Sequence, residues 1–266
     1  MNYKIDHDFH IHTKLSFCSK DPNQNTKTLL SYAKKNGMSA LCVTDHFWSE
    51  DVKGASDWYE PQNLAHISQI LPLPKDDEVR FMFGCETELT KNGVLGISKA
   101  NFDKFDFVII PTTHFHMEGF TMSSEQLESP KTRAKAWTNR LYQVLDMDLP
   151  FHKIGFAHLT CHLIYRNETE NLLETFNLIS RDEMARIFTK VAKLGAGIEL
   201  NAGDMKNAQA HPDLFKPYIV AKECGCKFYL GSDAHHPDKF DMSPDAFAYG
   251  VKCLELDESD KFILTL

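Results

Sequence analysis

The sequence lacks any hydrophobic run long enough for a membrane-spanning helix, which needs about 18 consecutive apolar residues. Its first residues, Met1–Asp8, also lack the apolar centre of a secretory signal peptide. These two absences argue against a membrane protein and against a secreted one. We therefore expect a cytoplasmic protein.

Paired cysteines are also missing. The chain has seven cysteines, an odd number, and none of them forms the C-x-x-C spacing typical of structural zinc sites. This scatter does not indicate a disulfide framework, so we expect reduced thiols, as in the cytoplasm. The seven are Cys18, Cys42, Cys85, Cys161, Cys224, Cys226 and Cys253.

Positively charged residues are also in the minority. The chain has 29 Lys and Arg and 37 Asp and Glu, which gives a formal net charge of −8. Such a chain has no overall electrostatic attraction to nucleic acids or anionic membranes. With 42% hydrophobic and 25% charged residues, the composition is typical of a globular protein and excludes a disordered or coiled-coil chain. No repeat, low-complexity segment or linker divides the sequence, and we expect one domain over residues 1–266.

Short apolar or β-branched runs alternate with longer segments of helical periodicity, which is typical of βα units around a mainly parallel sheet. The predicted strands are Tyr3–Ile11, Ala40–Thr44, Arg80–Cys85, Phe107–Pro111, Ile154–Ala157, Gly197–Leu200 and Lys227–Leu230. The predicted helices are Thr26–Asn36, Glu125–Leu145, Arg181–Leu194 and Pro212–Cys224. Seven strands separated by crossovers favour an α/β barrel, complete or incomplete, over an open sheet.

Side chains of the metal-binding type follow nearly every predicted strand. They are His10 and His12, Asp45 and His46, Glu86 and Glu88, His114 and His116, His158, Asn201, and Asp233, His235 and His236. In a βα barrel the C-terminal ends of all strands meet at one mouth, where catalytic groups gather. We therefore expect these side chains to lie close together.

The spacing of these residues suits metal binding. Residues two apart on a strand point to the same face, so His10 and His12 can bind one ion together, and so can Asp233 and His235. Imidazole nitrogen and carboxylate oxygen suit zinc, iron or manganese, and a carboxylate such as Glu86 can also bridge two ions. A single histidine at a strand end is most often structural, but ligand types at five strand ends predict a polynuclear metal site.

Short motifs that contain these residues follow one another along the chain: Asp8-Phe9-His10-Ile11-His12, Thr44-Asp45-His46, Gly84-Cys85-Glu86, His114, His158 and Gly231-Ser232-Asp233-Ala234-His235. Over essentially the whole chain this order resembles the polymerase and histidinol phosphatase (PHP) family of metal-dependent phosphoesterases. The resemblance implies a distorted (β/α)7 barrel with two or three divalent ions at its mouth. The implied ligands are His10, His12, Glu86 and Asp233 for the first ion, His46 and His235 for the second, and Glu86, His114 and His158 for the third.

Cys18 is a departure from the family pattern. Many members carry an Asp or His at this position, six residues after His12, as a further ligand of the second ion. A thiolate binds zinc or iron well, but it is softer and can be oxidised. Two interpretations stay open: Cys18 is a ligand of the second ion, or it is a free thiol while Asp21 or water completes the site.

The implied activity is hydrolysis of a small phosphate monoester by a hydroxide that the ions activate. The expected partner is a small phosphorylated metabolite, with histidinol phosphate as one possibility. Asp45 is a candidate general acid, although a role in orienting a histidine is favoured. Arg166 is a candidate phosphate clamp, because similar phosphatases place an arginine shortly after the histidine that matches His158; a solvated surface arginine fits equally well.

Three alternatives to a phosphatase stay open from the sequence. Amidohydrolases also carry His-x-His and Asp at barrel strand ends, related domains act as exonucleases, and a metal-binding module need not be catalytic. The −8 charge argues against the nuclease. The segment Phe47–Tyr59 carries Trp48, Trp58 and Tyr59 and should lie over the mouth, where packing of the loop is favoured over stacking on a substrate. The sequence indicates no oligomeric state.

Overall fold

A parallel sheet forms the centre of the computed structural model, which describes residues 2–166 and 168–264. Its strands are β1 (His7–Ile11), β2 (Ala40–Val43), β3 (His46–Phe47), β4 (Arg80–Thr87), β5 (Phe107–Pro111), β6 (Ile154–Ala157), β7 (Gly197–Asn201) and β8 (Lys227–Gly231). The order is β1-β2-β4-β5-β6-β7-β8, and β3 pairs with the second half of β4. Because β2 and β3 both run along β4, they act as one strand that is interrupted at Thr44–Asp45.

The sheet closes on itself at the C-terminal ends of its strands. There the backbone N–H of His12 donates to the carbonyl of Ala234 at 3.2 Å, and that of Asp233 donates to the carbonyl of His10 at 2.7 Å. These bonds join β1 to the segment that follows β8. The result is a nearly closed barrel of seven parallel strands, which confirms the predicted distorted (β/α)7 fold.

Helices surround the barrel. They are α1 (Thr26–Lys35), α2 (Leu64–Ile67), α3 (Lys99–Phe102), α4 (Ser124–Leu127), α5 (Pro130–Leu145), α6 (Thr169–Leu178), α7 (Arg181–Leu194), α8 (Ala202–Ala210), α9 (Lys216–Glu223) and α10 (Ser243–Cys253). Short 3-10 turns lie at Ser68–Ile70, Phe151–Lys153, Pro212–Phe215, Pro237–Met242 and Glu258–Asp260. None of the helices in the described part of the chain has the length and apolarity needed to span a membrane.

Most predicted elements are found within a few residues of their expected bounds, but one predicted helix was wrong. The segment Glu125–Leu145 is divided into α4 and α5, because Pro130 cannot continue a preceding helix and instead begins α5. The side chain of Ser129 caps this new start by accepting a hydrogen bond from the N–H of Thr132. Helices α2, α3, α6, α8 and α10 and the short strand β3 were not predicted.

The inside of the barrel is filled by side chains. A buried cluster joins Phe9, Cys42, Met82, Phe107, Ile109, Ala157 and Tyr229 of six strands to Phe262 of the C-terminal segment. Glycine makes room for the larger rings, since a Cβ atom at Gly155 would lie 2.5 Å from both the Phe107 ring and the Tyr229 hydroxyl. This packed interior leaves the C-terminal mouth as the place where polar side chains collect.

The close approach at Gly155 gives a test of the packing. We expect Gly155→Ala to lower the free energy of unfolding by about 1–3 kcal/mol, because overpacking of a dense core forces neighbouring rings to move. Denaturant unfolding measures the change. Ser31→Ala, on the exposed face of α1, is the control, with an expected change within about 0.5 kcal/mol. Equal stability of the Gly155 variant and the parent protein would show that the interior is not packed in this way.

Candidate metal centre

The Glu86 carboxylate lies at the centre of the barrel mouth. It is almost fully buried at the end of β4. Its Oε2 atom lies 3.0 Å from His46 Nδ1, 3.4 Å from His12 Nε2 and 3.7 Å from His10 Nε2. Three imidazoles from β1 and β3 therefore face one oxygen of this single carboxylate.

The other oxygen of Glu86 faces the opposite side of the mouth. Oε1 lies 3.4 Å from His158 Nε2 and 3.9 Å from His114 Nε2. The rings of these two histidines stack with their centroids 4.9 Å apart. Across the mouth, Asp233 Oδ1 lies 3.2 Å from His12 Nε2. The carboxylate of Glu86 thus stands between two sets of imidazoles, as a bridging ligand would.

Three groups of ligand atoms, each with all its members within 4.8 Å of one another, can be drawn in this mouth. They are His12, His46 and His235; His10, His12 and Glu86; and Glu86, His114 and His158. Glu86 and His12 each belong to two groups. The groups contain seven of the nine predicted ligands. Asp233, with Oδ1 3.2 Å from His12 Nε2, is the eighth, and Cys18 is treated separately below.

Several atoms in the mouth fit a bound cation better than a hydrogen-bonded network. Glu86 Oε2 and His46 Nδ1 are buried and have no hydrogen-bond partner, although they lie 3.0 Å apart. His10 Nε2 and His12 Nε2 face each other at 3.1 Å. Unpaired buried polar atoms are costly. Nitrogen and carboxylate oxygen donors at these positions match the ligand preferences of zinc, iron and manganese.

The protonation states also suit metal binding. Burial lowers the pKa of both His114 and His235 to about 3, so each imidazole is neutral at neutral pH. Burial opposes ionisation of Glu86, but the imidazoles of His46 and His10 outweigh it and hold the pKa of this carboxyl well below its ordinary value. Burial opposes protonation of His10 and His12 as well, but the carboxylates around them outweigh it and raise the pKa of both rings. Neutral imidazole and ionised carboxylate are the forms that bind cations, so an ion at this site would displace protons from these two rings.

The remaining ring nitrogens of these histidines are held by hydrogen bonds. The pairs are His10 Nδ1 with Glu199 Oε1 at 2.7 Å, His12 Nδ1 with Ser16 Oγ at 2.9 Å, His114 Nδ1 with Glu88 Oε2 at 2.7 Å, and His158 Nδ1 with Thr113 Oγ1 at 2.8 Å. Such partners fix the ring orientation and raise the basicity of the nitrogen that faces the metal. Each of the four rings consequently directs Nε2 into the mouth.

Asp45 lies behind the candidate metal ligands, on the side away from the open mouth. Its carboxylate accepts hydrogen bonds from the Thr13 backbone N–H at 2.8 Å, the Thr13 hydroxyl at 2.7 Å and the Ser16 hydroxyl at 2.6 Å. The oxygen of Ser16 is in turn the partner of His12 Nδ1. Of the two interpretations left open for Asp45, the geometry supports the orienting role, because both of its oxygens are already engaged away from the open mouth.

Arg140 is a supporting residue that the sequence did not reveal. It is buried in α5 and donates to Glu88 Oε1 at 3.1 Å, to the carbonyl of Thr112 at 2.8 Å and to that of Thr121 at 2.8 Å. These bonds hold both Glu88 and the segment that carries His114. The signal available in the sequence was a lone arginine on the buried face of a helix, between Trp137 and Val144.

Glu199 was also missed. This fully buried residue of β7 accepts a hydrogen bond from His158 N at 2.7 Å through Oε2, while Oε1 lies 2.7 Å from His10 Nδ1. It therefore ties together histidines from two different ligand groups. It also stabilises the backbone of His158, whose φ of 34° is unfavourable for a residue with a side chain. An acidic residue within the apolar run Gly197–Asn201 was the signal.

Cys18 and Arg166 lie at the edge of the mouth. Cys18 is exposed and lines the same cavity as Glu86 and His235, but it belongs to none of the three ligand groups drawn from the described residues. Arg166 is exposed. The pKa of His116 is lowered to about 3, first by burial and then by the nearby charges of His114 and Arg166.

Comparison with known proteins is decisive for the family. Residues 8–203 match the family model described as the PHP domain, which is more than half of the chain. The chain belongs to the PHP family. This confirms the resemblance seen in the motifs, and with the relatives below it supports a metal-dependent phosphatase.

Two kinds of relative agree with this PHP membership. A probable histidinol-phosphatase of Thermotoga maritima is 24% identical over 230 residues, which covers 86% of this chain and 83% of the relative. A solved histidinol phosphate phosphatase of Lactococcus lactis, in complex with zinc, L-histidinol and phosphate, has a TM-score of 0.62 at 17% identity and covers 96% of this chain and 98% of its own. A solved structure of a putative histidinol phosphatase of Listeria monocytogenes has a TM-score of 0.60 at 15% identity. The match covers 88% of this chain and 96% of the Listeria chain. At these identities the two solved structures establish the fold.

The double contact of Glu199 leads to a prediction for this PHP domain. We expect Glu199→Gln to weaken zinc binding about 10–100-fold, because the loss of charge lowers the basicity of His10 and loosens His158. Titration against a chromophoric chelator measures the affinity. Glu170→Gln, on the exposed start of α6, is the matched control. Unfolding in the presence of a chelator separates this effect from a loss of stability, and an unchanged zinc affinity would refute the positioning role.

Proposed function

We propose that this protein hydrolyses the phosphate monoester of a small metabolite at a centre of two or three divalent ions. One observation carries the proposal: five imidazoles from four strand ends face the two oxygens of the buried Glu86 carboxylate at 3.0–3.9 Å. A carboxylate shared between two sets of imidazoles is the arrangement that a polynuclear hydrolase centre needs. The family membership supplies the type of reaction.

We assign the ligands of this centre as follows. The first ion would be held by His10, His12, Glu86 and Asp233, the second by His46 and His235, and the third by Glu86, His114 and His158. The proximity of His12 to His46 and His235 supports a place for it beside the second ion as well. Cys18 is exposed and lies outside the ligand groups, so it is left out of the assignment; Asp233 also lies outside them but is kept, because its Oδ1 is 3.2 Å from His12 Nε2.

Divalent ions in such a centre stabilise charge on the phosphoryl oxygens and lower the pKa of the attacking water. The chain's own residues then have positioning tasks. Asp45 orients His12 through the Ser16 hydroxyl, and Glu88 with Arg140 orients His114. Arg166, at the rim near His116, would pair with the phosphate and align it for attack.

Histidinol phosphate is the first ester to try, because the relatives are named histidinol phosphatases. The test is phosphate release by protein loaded with zinc, iron or manganese from histidinol phosphate, simple alkyl phosphates and para-nitrophenyl phosphate, with para-nitrophenyl acetate beside them. We expect hydrolysis of phosphate esters and its loss on chelation. Hydrolysis of the acetate alone would favour an amidohydrolase-type enzyme and contradict the proposal.

The shared role of Glu86 makes a specific prediction. Glu86→Gln should remove more than one equivalent of metal and lower kcat for phosphate esters by about 100-fold or more, since an amide cannot bridge two cations as a carboxylate can. Elemental analysis and steady-state kinetics measure the two effects. Glu223→Gln, at an exposed position, is the control. Full metal content in the Glu86 variant would rule out the bridge.

Cys18 gives an independent test of the ligand assignment. We expect Cys18→Ser to leave the metal stoichiometry unchanged and to alter zinc affinity by less than about threefold, because the three ligand groups form without the thiol. Cys253→Ser, a second exposed cysteine far along the chain, controls for general effects of thiol removal. Loss of one equivalent of metal only in the Cys18 variant would make Cys18 a ligand of the second ion.

A further inference from the structure

An apolar cavity of about 550 Å³ opens beside the candidate metal centre. Its wall includes five of the proposed ligands, so the cavity is continuous with the reaction centre: His46, Glu86, His114, Asp233 and His235. The rest of the wall comes largely from apolar side chains of two loops: Trp58 and Tyr59 of one, and Met117 and Phe120 of the other. Hydrolysis at phosphorus alone does not require such a wall.

The aromatic side chains of this wall are packed on the metal centre. The Trp58 ring packs edge to face against the rings of His46 and Tyr59. The distance between ring centroids is 5.0 Å to His46 and 4.8 Å to Tyr59. Tyr59 is fully buried and lies 5.6 Å from Phe120. Trp58 remains 36% exposed although its neighbours are buried. A large ring that is fixed by packing and still open on one side is a surface for another planar group.

The charge of the cavity restricts its occupant. Glu86 and Asp233 are the carboxylates among the described residues of its wall, and both are proposed ligands. No further carboxylate in this described wall is therefore left to pair with an ammonium group. Burial of an unpaired ammonium beside a cationic metal centre is strongly unfavourable.

A second cavity, of about 760 Å³, shows the contrast. It also reaches Asp233 and His235, but its wall includes charged side chains such as Lys206, Lys239 and Asp245. The two cavities thus meet at the candidate metal centre, and the charged side chains that are not proposed ligands lie in the larger one. A phosphate monoester has a charged phosphoryl group and an alcohol part, which suit the wall with charged side chains and the apolar wall respectively.

We propose that the apolar cavity receives the alcohol part of the phosphate monoester and that this part carries an uncharged aromatic ring, stacked against Trp58. The inference rests on the proposed phosphatase function and names its substrate class. Esters of amino alcohols are then poor substrates, because their ammonium group finds no carboxylate in the described wall that is not already a proposed ligand. The buried and unpartnered Nδ1 of His116, at the cavity wall, would pair with a polar atom on the ring.

Three esters with similar primary-alcohol leaving groups test the inference: 2-phenylethyl phosphate, propyl phosphate and L-phenylalaninol phosphate. For the metal-loaded protein we expect kcat/KM for the phenylethyl ester to exceed that for the propyl ester about tenfold or more, since a ring is buried. The phenylalaninol ester, which adds only an ammonium-bearing carbon, should fall about tenfold below the phenylethyl ester.

Variants at Trp58 assign the effect to the cavity. Trp58→Ala should bring the ratio of the phenylethyl and propyl kcat/KM values to within about threefold of one, and Trp58→Phe should restore most of the preference. Leu178→Ala, at another exposed apolar residue, should leave the ratio unchanged. Equal rates for the ring and propyl esters, or a preference for phenylalaninol or histidinol phosphate, would overturn the inference.

Binding separates this inference from the proposed function. If none of these esters and no para-nitrophenyl phosphate is hydrolysed, the phosphatase proposal fails, but calorimetry with non-hydrolysable phosphonates still tests the cavity. We expect 3-phenylpropylphosphonate to bind the metal-loaded protein about tenfold more tightly than butylphosphonate, and to lose this advantage in Trp58→Ala. Equal affinities of the two phosphonates for the parent protein would refute the ring-binding role.

Discussion

The buried carboxylate of Glu86 is the group around which the barrel mouth is organised. Five imidazoles converge on it, and a fully buried anion is unfavourable unless positive charge neutralises it, as bound cations would. The parallel barrel makes this convergence possible, because it brings strand ends far apart in sequence to one place. Glu88 and Glu199 hold the rings of His114 and His10 by hydrogen bonds, and Asp45 holds the ring of His12 through the Ser16 hydroxyl.

The chemistry at the strand ends could be predicted from the sequence, because every parallel strand delivers its last residues to the same mouth. The supporting residues could not. Glu199 and His10 are separated by 189 positions, and only the closed barrel makes them partners. Arg140 lies in a helix whose buried face is otherwise apolar, so its pairing with Glu88 depends on packing. The division of the predicted Glu125–Leu145 helix at Pro130, by contrast, was visible in the sequence.

The barrel assigns metal binding and substrate recognition, which a phosphatase must combine, to different parts of the chain. Strand ends hold the candidate metal ligands rigidly, whereas loops supply the surfaces on either side. The loop that contains Trp58 was expected mainly to pack over the mouth, and Tyr59 does so. Trp58 remains partly open toward the apolar cavity, and it is this side chain that we connect with the substrate. Family membership fixes the type of reaction, while these loop side chains belong to this chain and would set its specificity.

The central claim is that the Glu86 site holds several ions at once. Its most direct test is elemental analysis of the unmodified protein, purified without chelators and without nickel affinity resin. The account predicts two to three equivalents of zinc, iron or manganese per chain, removed together by a strong chelator because the ions share the Glu86 carboxylate. A content of one equivalent or none, after incubation with each metal, would contradict a polynuclear centre.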